Sequence, residues 1–255
     1  MLAESSPSAD LSLLNKKSLK DEVFDLLSAR LIAGQYTPGE WLRQEELATQ
    51  LGVSQTPVRE ALDLLVSAGL AERVPYRGVR IRELSQDEIL DAYILRLQLE
   101  SLTVRLAALN ITASQSEQLL AVLEQTRPLL TLQDMPQLRQ LNKRFHSLIA
   151  EYSGNPLLER LFEMTSNIFP DWMLYEYLFR HPEMLLPSLE VEFQEHLAIA
   201  QAVAAHDAEA AVRCIVEHIR NLGQSLVRSL GLPQDMLVSR EAQILPSFQF
   251  PNQTT

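Results

Sequence analysis

Three of the five histidines in the sequence have the surroundings of metal ligands. His146, His196 and His218 each share a predicted helical face with apolar residues, and Asn142 precedes His146 by one helical turn, so that both side chains point the same way. Imidazole nitrogens combined with an oxygen ligand suit Zn, Ni, Fe or Mn. If the three helices converge, these residues form a divalent-metal site inside a helical bundle.

The same three histidines have a simpler interpretation. A buried histidine usually has its N–H group satisfied by a carbonyl oxygen, and on spacing alone three such core histidines are favoured over a metal site. The other two, His181 before Pro182 and His206 at a helix junction, are expected to be exposed, because polar residues in connections usually face solvent. The spacing therefore leaves both interpretations open.

The helices that carry the three histidines belong to a long helical segment. It begins at Ser85 and Glu88, which have the Ser-x-x-Glu spacing of a capping box, and Thr112 and Gln115 form a second box of this kind. We expect helices near residues 86–109, 113–131, 134–152, 155–179, 188–205 and 207–230. Because no strand pattern interrupts them, residues 85–231 are predicted to form an all-α bundle of six or seven helices, followed by a C-terminal tail at 232–255.

Residues 16–84 have a different pattern, after a polar tail at 1–15 that is expected to be disordered. Apolar residues at helical spacing and turn-forming glycines and prolines divide this segment into short elements. They predict helices at Leu19–Leu31, Gln44–Leu51 and Ser54–Leu65, then strands at Leu70–Val74 and Val79–Arg82 around the turn at 75–78. This order predicts a winged helix-turn-helix, so the whole chain is expected to be mainly α.

The third helix of such a motif lies in the major groove of DNA, with its first residues at base edges and phosphates. Ser54 and Thr56 can bond phosphate oxygens, Gln55 can read adenine, and Arg59 can contact guanine or phosphate. Gly78 allows the tip of the hairpin to approach the minor groove. The predicted DNA contacts are Arg43, Ser54, Gln55, Thr56, Arg59, Arg77 and Gly78.

The net charge of −11 is unevenly distributed along the chain. Residues 16–84 carry ten basic and ten acidic side chains, whereas residues 85–255 carry twelve basic and twenty-one acidic ones. Residues 73–82 contain four arginines and no acid, so a local basic patch is available to phosphates. The single cysteine, Cys214, excludes an internal disulfide, and no signal peptide or membrane span is recognised. These features predict a cytoplasmic protein with no membrane partner.

The first segment resembles the GntR family of bacterial regulators. The resemblance rests on LRQEELATQLGVSQTPVREAL at residues 42–62 and on the wing tip at residues 75–78. It implies a homodimer that binds a short palindromic operator in double-stranded DNA. Gln55 stands where the base-reading arginine of the family usually lies, which implies a shift in operator preference toward adenine at one position.

The second segment resembles the FCD effector domain of the FadR subfamily of GntR regulators. The matching residues are Arg96, Glu100, Asn142, Phe145, His146, Ser153 to Pro156, Glu195, His196, Glu217 and His218. The resemblance implies a divalent metal held by Asn142, His146, His196 and His218, with asparagine in place of the more usual aspartate. It also implies a small organic or sugar acid that contacts Arg96 and relieves repression.

Two further functions are compatible with the sequence. A three-histidine site with an open position could activate water, as in a metal-dependent hydrolase with an accessory winged helix, although no carboxylate is singled out as its general base. Alternatively, the helical bundle binds no metal and serves only for dimerisation.

Trp172 and Tyr175 could line an effector pocket or belong to the core.

Overall fold

The computed structural model describes residues 18–32, 35–129, 131, 134–168, 174, 177, 178 and 180–244. Its first part contains three helices and a small antiparallel sheet with the strand order β1-β3-β2. The elements in chain order are α1 (Leu19–Ile32), β1 (Trp41–Leu42), α2 (Gln44–Leu51), α3 (Gln55–Ser67), β2 (Ala71–Val74) and β3 (Gly78–Ile81). This arrangement confirms the predicted winged helix-turn-helix.

Strand β1 is the one element of this part that the sequence did not predict. It has only two residues, too few to show an alternating pattern. It forms because Trp41 and Leu42 pair with Arg80 and Val79 of β3. The third strand, β2, pairs with the other edge of β3 through the hairpin.

Backbone conformation at two glycines sets the geometry of the motif. Gly52 ends α2 in the left-handed region at φ 67°, so the chain turns sharply into α3. Ser54 occupies the N-cap position of α3, although its side chain forms no capping hydrogen bond. At the tip of the hairpin, Gly78 has φ 114° and the neighbouring Tyr76 has φ 61°, a conformation that few residues other than glycine adopt.

Seven helices follow in the described part of the chain, as the sequence predicted for an all-α bundle. They are α4 (Gln86–Asn110), α5 (Ala113–Thr126), α6 (Met135–Tyr152), α7 (Pro156–Ile168), α8 (Pro182–Ala204), α9 (Ala208–Leu230) and α10 (Gln234–Ile244). Both predicted capping boxes are present, at Ser85 with Glu88 and at Thr112 with Gln115. Helix α4 lies at the centre and packs against α6, α7, α8 and α9.

The bounds of some helices differ from the predicted ones. Helix α5 ends at Thr126 rather than near residue 131. Helix α8 begins at Pro182 rather than near residue 188, and it continues through Pro187. The predicted pocket residues Trp172 and Tyr175 lie outside the described residues. So does the predicted N-terminal tail at 1–15.

Helix α10 corrects the prediction of a C-terminal tail from residue 232. Leu237 is fully buried, and the hydroxyl of Tyr93 on α4 donates a hydrogen bond to the buried carboxylate of Glu241. The sequence did not reveal this helix because its inward face combines few apolar residues with a buried acid, so no amphipathic stripe is visible. Tertiary contacts with α4 and α9 decide its position instead.

One buried cluster joins the two parts of the chain. Met135 and Leu138 of α6 and Leu185 and Leu189 of α8 belong to the same hydrophobic cluster as the core of the winged motif. The remaining core of the helical bundle forms a separate cluster around α4. No helix in the described ranges is both long and apolar enough to cross a membrane.

Candidate metal centre and nucleic-acid surface

The predicted DNA contacts all have exposed side chains or, for Gly78, exposed backbone. The start of α2 and the hairpin face each other across a cleft of about 720 Å³, and Arg43, Arg77 and Gly78 all line it. At the start of α3, the Gln55 side chain accepts a hydrogen bond of 3.2 Å from Gln44. The fold thus brings three of the predicted contacts to one cleft and leaves the polar start of α3 open to a partner.

The basic patch of the wing is smaller than the sequence indicated. Arg73 forms an ion pair with Asp63 of α3, and Arg80 forms one with Glu72 of β2. Among the described residues, Arg77 forms no ion pair, and it lies beside the fully exposed Tyr76 at the tip. Arg77 is therefore the wing cation whose charge is most available to a phosphate.

The three predicted histidine ligands meet inside the bundle. His146 on α6, His196 on α8 and His218 on α9 are all buried, and their nitrogen atoms lie within 4.8 Å of one another. The ring centroids of each pair are 4.7–5.4 Å apart. Three helices that are distant in sequence therefore bring three imidazoles to one point, which is the convergence that the predicted metal site requires.

Carboxylates orient two of the three rings. The Nδ1 atom of His146 lies 2.8 Å from Glu100, and the Nδ1 atom of His218 lies 2.7 Å from Glu195. Because an ionised carboxylate only accepts hydrogen bonds, each imidazole must donate from Nδ1, which leaves Nε2 as the atom with a lone pair. This carboxylate–histidine arrangement is the usual outer support of a histidine that binds a metal.

The distance between two of the rings fits a shared ligand. The Nε2 atoms of His146 and His196 are 3.1 Å apart. Two nitrogens that each lie about 2.1 Å from a metal, at tetrahedral or octahedral angles, are about 3.0–3.4 Å apart. Without a metal, the same contact is a hydrogen bond in which His196 must donate, because Nε2 of His146 carries no proton. The residues present therefore fit a divalent metal.

Burial keeps the imidazoles of His196 and His146 neutral, which is the form that binds metals. It lowers the pKa of His196 well below the usual value for histidine, and the neighbouring His218 and His146 lower it further. Burial also lowers the pKa of His146, against the opposing attraction of Glu100. Burial alone would raise the pKa of Glu100, but Arg96 and His146 hold the pKa of this carboxyl well below its ordinary range. Neutral imidazoles beside an ionised carboxylate are thus favoured.

The two other predicted site residues adjoin the histidines. Asn142 lines the same cavity as His146, and its amide nitrogen donates a hydrogen bond of 2.8 Å to Glu192 of α8. Its carbonyl oxygen is the atom with which it could serve as a ligand. Arg96 also lines this cavity, but it forms a buried ion pair with Glu100. Its charge is therefore partly neutralised before any ligand arrives.

The cavity beside the histidines has a volume of about 540 Å³. Four cationic side chains line its wall, and Glu192 and Glu195 are the acids among the lining residues. The cations are Arg96, Arg139, Lys143 and Arg228. Its size is in the range of small-molecule sites, and its charge favours an anion.

Sequence reasoning did not assign roles to three acids of this centre. The sequence prediction includes Glu100 and Glu195 only as matches to the FCD domain, and it does not include Glu192. Glu192 precedes His196 by four positions on one helix, so the shared face was a usable signal. The contact of Glu195 with His218 joins two helices, and no local pattern predicts such a contact.

The two remaining histidines lie outside the cluster. His206 is exposed, as expected, and its Nδ1 lies 2.9 Å from the carbonyl oxygen of Ala108. His181 is half-buried rather than exposed, because its ring stacks on Tyr177.

Comparison with known proteins identifies both parts of the chain. Residues 19–81 match the bacterial regulatory proteins of the gntR family, and residues 91–221 match the FCD domain. The HTH-type transcriptional regulator McbR of Escherichia coli (strain K12) is 31% identical over 200 residues, which cover 78% of this chain and 89% of McbR. The HTH-type transcriptional repressor RspR of the same organism is 26% identical, over 82% of this chain and 89% of RspR.

A solved structure supports the same assignment. The structure of E. coli McbR/YncC superposes with a TM-score of 0.65 at 27% sequence identity, and it covers 84% of this chain and 99% of the solved chain. The matched regions include the winged motif and the histidine-bearing helices. Since members of the family are transcriptional regulators, the metal-dependent hydrolase considered from the sequence is excluded. The chain belongs to the GntR family of bacterial transcription regulators and carries an FCD domain behind its winged helix-turn-helix.

Proposed function

We propose that this regulator is a cytoplasmic repressor whose binding to its operator is controlled by a small carboxylate effector held beside a divalent metal. The observation that carries the proposal is the buried cluster of three histidines, two of which are oriented by carboxylates. A plain core histidine needs one satisfied N–H group, and it does not need two further imidazoles facing it. The arrangement therefore favours the metal site over three ordinary core residues.

His146, His196 and His218 would hold the metal, which we take to be Zn, Ni, Fe or Mn, and Asn142 would add a neutral oxygen. The bound metal would supply a positive charge that attracts a carboxylate. Glu100 and Glu195 keep two of the rings in the required tautomer. Asparagine in place of a charged ligand leaves the site more positive, which favours completion of its shell by an anionic effector.

The effector would occupy the cavity that adjoins the histidines. A volume of about 540 Å³ and a wall with four cations suit a small organic or sugar acid. Arg96 would contact its carboxylate while remaining oriented by Glu100. The partial neutralisation of Arg96 predicts that the metal, and not this arginine alone, determines the affinity for the acid.

The junction between the two parts of the chain can transmit a structural change in the cavity to the DNA-binding motif. Arg139 of α6 and Ser188 of α8 line the cavity, and their sequence neighbours Leu138 and Leu189 belong to the buried cluster of the winged motif. A shift of either helix on effector binding would move residues packed into the DNA-binding core. The effector changes affinity for DNA only as far as it binds the two arrangements unequally.

On DNA, each subunit of a homodimer would place α3 in the major groove of one half of a palindromic operator. Ser54, Gln55, Thr56 and Arg59 would lie at base edges and phosphates, with Arg43 on the flanking backbone and Arg77 and Gly78 in the wing. Selection of binding sites by wild type and by Gln55→Arg tests this placement. We expect guanine to be enriched at one position for the variant, and identical operators from both proteins would contradict the role of Gln55.

Metal analysis of the purified regulator tests the effector site. We expect one divalent metal per chain in wild type and in the control His206→Asn, and none in His196→Ala. Asparagine suits the control because position 206 has a positive φ of 57°. A thermal-shift series of organic acids is then measured with and without a chelator. Absence of metal in folded wild type would instead support the metal-free, purely dimerising bundle.

A further inference from the structure

A carboxylate of helix α8 lies against the asparagine among the four candidate metal ligands. The side-chain nitrogen of Asn142 donates a hydrogen bond of 2.8 Å to Glu192, and both residues line the cavity beside the histidines. Asn142 precedes His146 on α6 by one helical turn, and Glu192 precedes His196 on α8 by the same interval. The hydrogen bond therefore connects α6 to α8 one turn away from two of the histidines.

The chemistry of the two groups determines which way the amide faces. An asparagine side chain ends in an oxygen that accepts hydrogen bonds and a nitrogen that donates them, and a half-turn about its terminal bond exchanges the two atoms. An ionised carboxylate can only accept, so the nitrogen of Asn142 must face Glu192. The opposite orientation would place two acceptor oxygens against each other. The amide oxygen of Asn142 is therefore directed away from Glu192.

A metal site with asparagine as a ligand depends on this orientation more than a site with aspartate does. Either oxygen of an aspartate can bind a metal, whereas an asparagine has one oxygen, and its NH₂ group only donates hydrogen bonds. Asn142 is buried, so few water molecules are available to stabilise the wrong orientation. A carboxylate that accepts from the nitrogen selects the orientation that leaves the oxygen for a metal. It also polarises the amide, which makes the oxygen more negative.

We propose that Glu192 is a positioning residue of the metal centre, which turns the amide oxygen of Asn142 toward the metal and keeps a negative charge close to it. The inference rests on the metal site of the proposed function and extends it to a residue on α8. Among the described residues, the candidate ligand atoms that lie within 4.8 Å of one another belong to the three histidines and not to Glu192. Glu192 therefore acts through Asn142, and the coordination position at Asn142 stays neutral.

The affinity for Zn²⁺ tests the proposal, measured on the full chain at pH 7 by competition with a chromophoric chelator. Changes at groups that support metal ligands typically lower the affinity 10- to 100-fold. We expect about a 10-fold loss for Glu192→Gln, because the glutamine amide still has an oxygen that can accept from Asn142. Glu190→Gln is the matched control, since Glu190 is exposed on the same helix, and it should bind like wild type. Equal affinities of Glu192→Gln and wild type would overturn the proposal.

A double-mutant cycle with Asn142→Asp separates positioning from a general effect on the fold. With Glu192 present, the new aspartate lies against a second carboxylate and loses the hydrogen bond. In the Glu192→Gln background, the glutamine amide can donate to the aspartate instead. We expect Asn142→Asp to raise the affinity for Zn²⁺ about 10-fold more in the Glu192→Gln background than in wild type, because a charged hydrogen bond replaces a repulsion. The same change in both backgrounds would overturn the proposal.

Failure of the proposed function gives a different result. Folded wild type that binds no Zn²⁺ would remove the metal site and this inference with it. Binding by wild type without a loss in Glu192→Gln would remove the inference alone. If circular dichroism shows that Glu192→Gln does not fold, Glu192→Ala replaces it, because alanine is the best helix former and removes the acceptor entirely. An affinity of Glu192→Ala equal to that of wild type would likewise refute the role of Glu192.

Discussion

The contact between Glu195 and His218 allows a quantitative test of the metal centre. We consider Glu195→Gln, which keeps the size of the side chain and removes its charge. The carboxylate accepts from Nδ1 of His218 at 2.7 Å and from the amide of Asn221 at 2.6 Å. A hydrogen bond to a charged group contributes about 1.5–3 kcal/mol. Since Glu195 is 18% exposed, the lower part of this range applies.

A loss of about 1.5–2 kcal/mol corresponds to an affinity for metal that is about 10- to 30-fold lower, because each factor of ten is about 1.4 kcal/mol. This estimate agrees with the 10- to 100-fold losses typical of changes at such supporting groups. The assay is competition for Zn²⁺ with a chromophoric chelator at pH 7. Glu190→Gln is the control, because Glu190 is exposed on the same helix. Equal affinities for Glu195→Gln and wild type would refute the reasoning.

Three further predictions follow from other contacts. Gly223→Ala should lower the free energy of unfolding by about 1–3 kcal/mol in urea titrations, because the new Cβ would lie 2.7 Å from the ring of Tyr93; unchanged stability would show that the ring yields freely. The metal-free protein should lose stability as the pH falls below about 6.5, because the pKa values of His146 and His196 are lowered in the folded state and the unfolded chain therefore binds more protons in this pH range. Urea titrations with a chelator at pH 8 and pH 5.5 measure the free energy of unfolding. A higher free energy of unfolding at pH 5.5 than at pH 8 would contradict the prediction. Arg77→Ala should weaken binding to all DNA sequences alike and reduce the salt slope by about 0.9, as anisotropy titrations would report; an unchanged slope would exclude a phosphate contact.

Short-range sequence patterns predicted most of the helices and strands. Tertiary contacts determine the helix bounds and the helix for which the sequence has no such pattern. The helix after Gly52 and the box at Ser85 have short-range signals in turn and capping residues, so the sequence was sufficient for them. Helix α10 was not predicted, because Glu241, an acid that the sequence places on the surface, is buried through tertiary contacts with Tyr93 and Arg220. The predicted start of a helix near residue 188 was also wrong, since α8 begins at Pro182 and continues through Pro187.

The same distinction applies to the candidate site. Residue types and apolar faces were enough to select His146, His196 and His218, and their convergence required three helices to pack together. The spacing of Asn142 and His146, one helical turn apart, predicted that their side chains point the same way, and both residues line one cavity. The wing arginines illustrate the limit, because Asp63 and Glu72 lie outside the run at residues 73–82 and pair with two of its four arginines.

The position of α10 against α4 has a consequence for synthesis of the protein. Helix α4 emerges from the ribosome early, but its partners α9 and α10 are more than one hundred residues further along the chain. At elongation rates of about 5–20 residues per second, the apolar faces of α4 remain without these partners for a time on the order of 10 s. The elements of the winged motif are close together in the sequence, and residues of α6 and α8 complete their buried cluster later. We therefore expect the nascent bundle to be the part of the chain that depends most on chaperones.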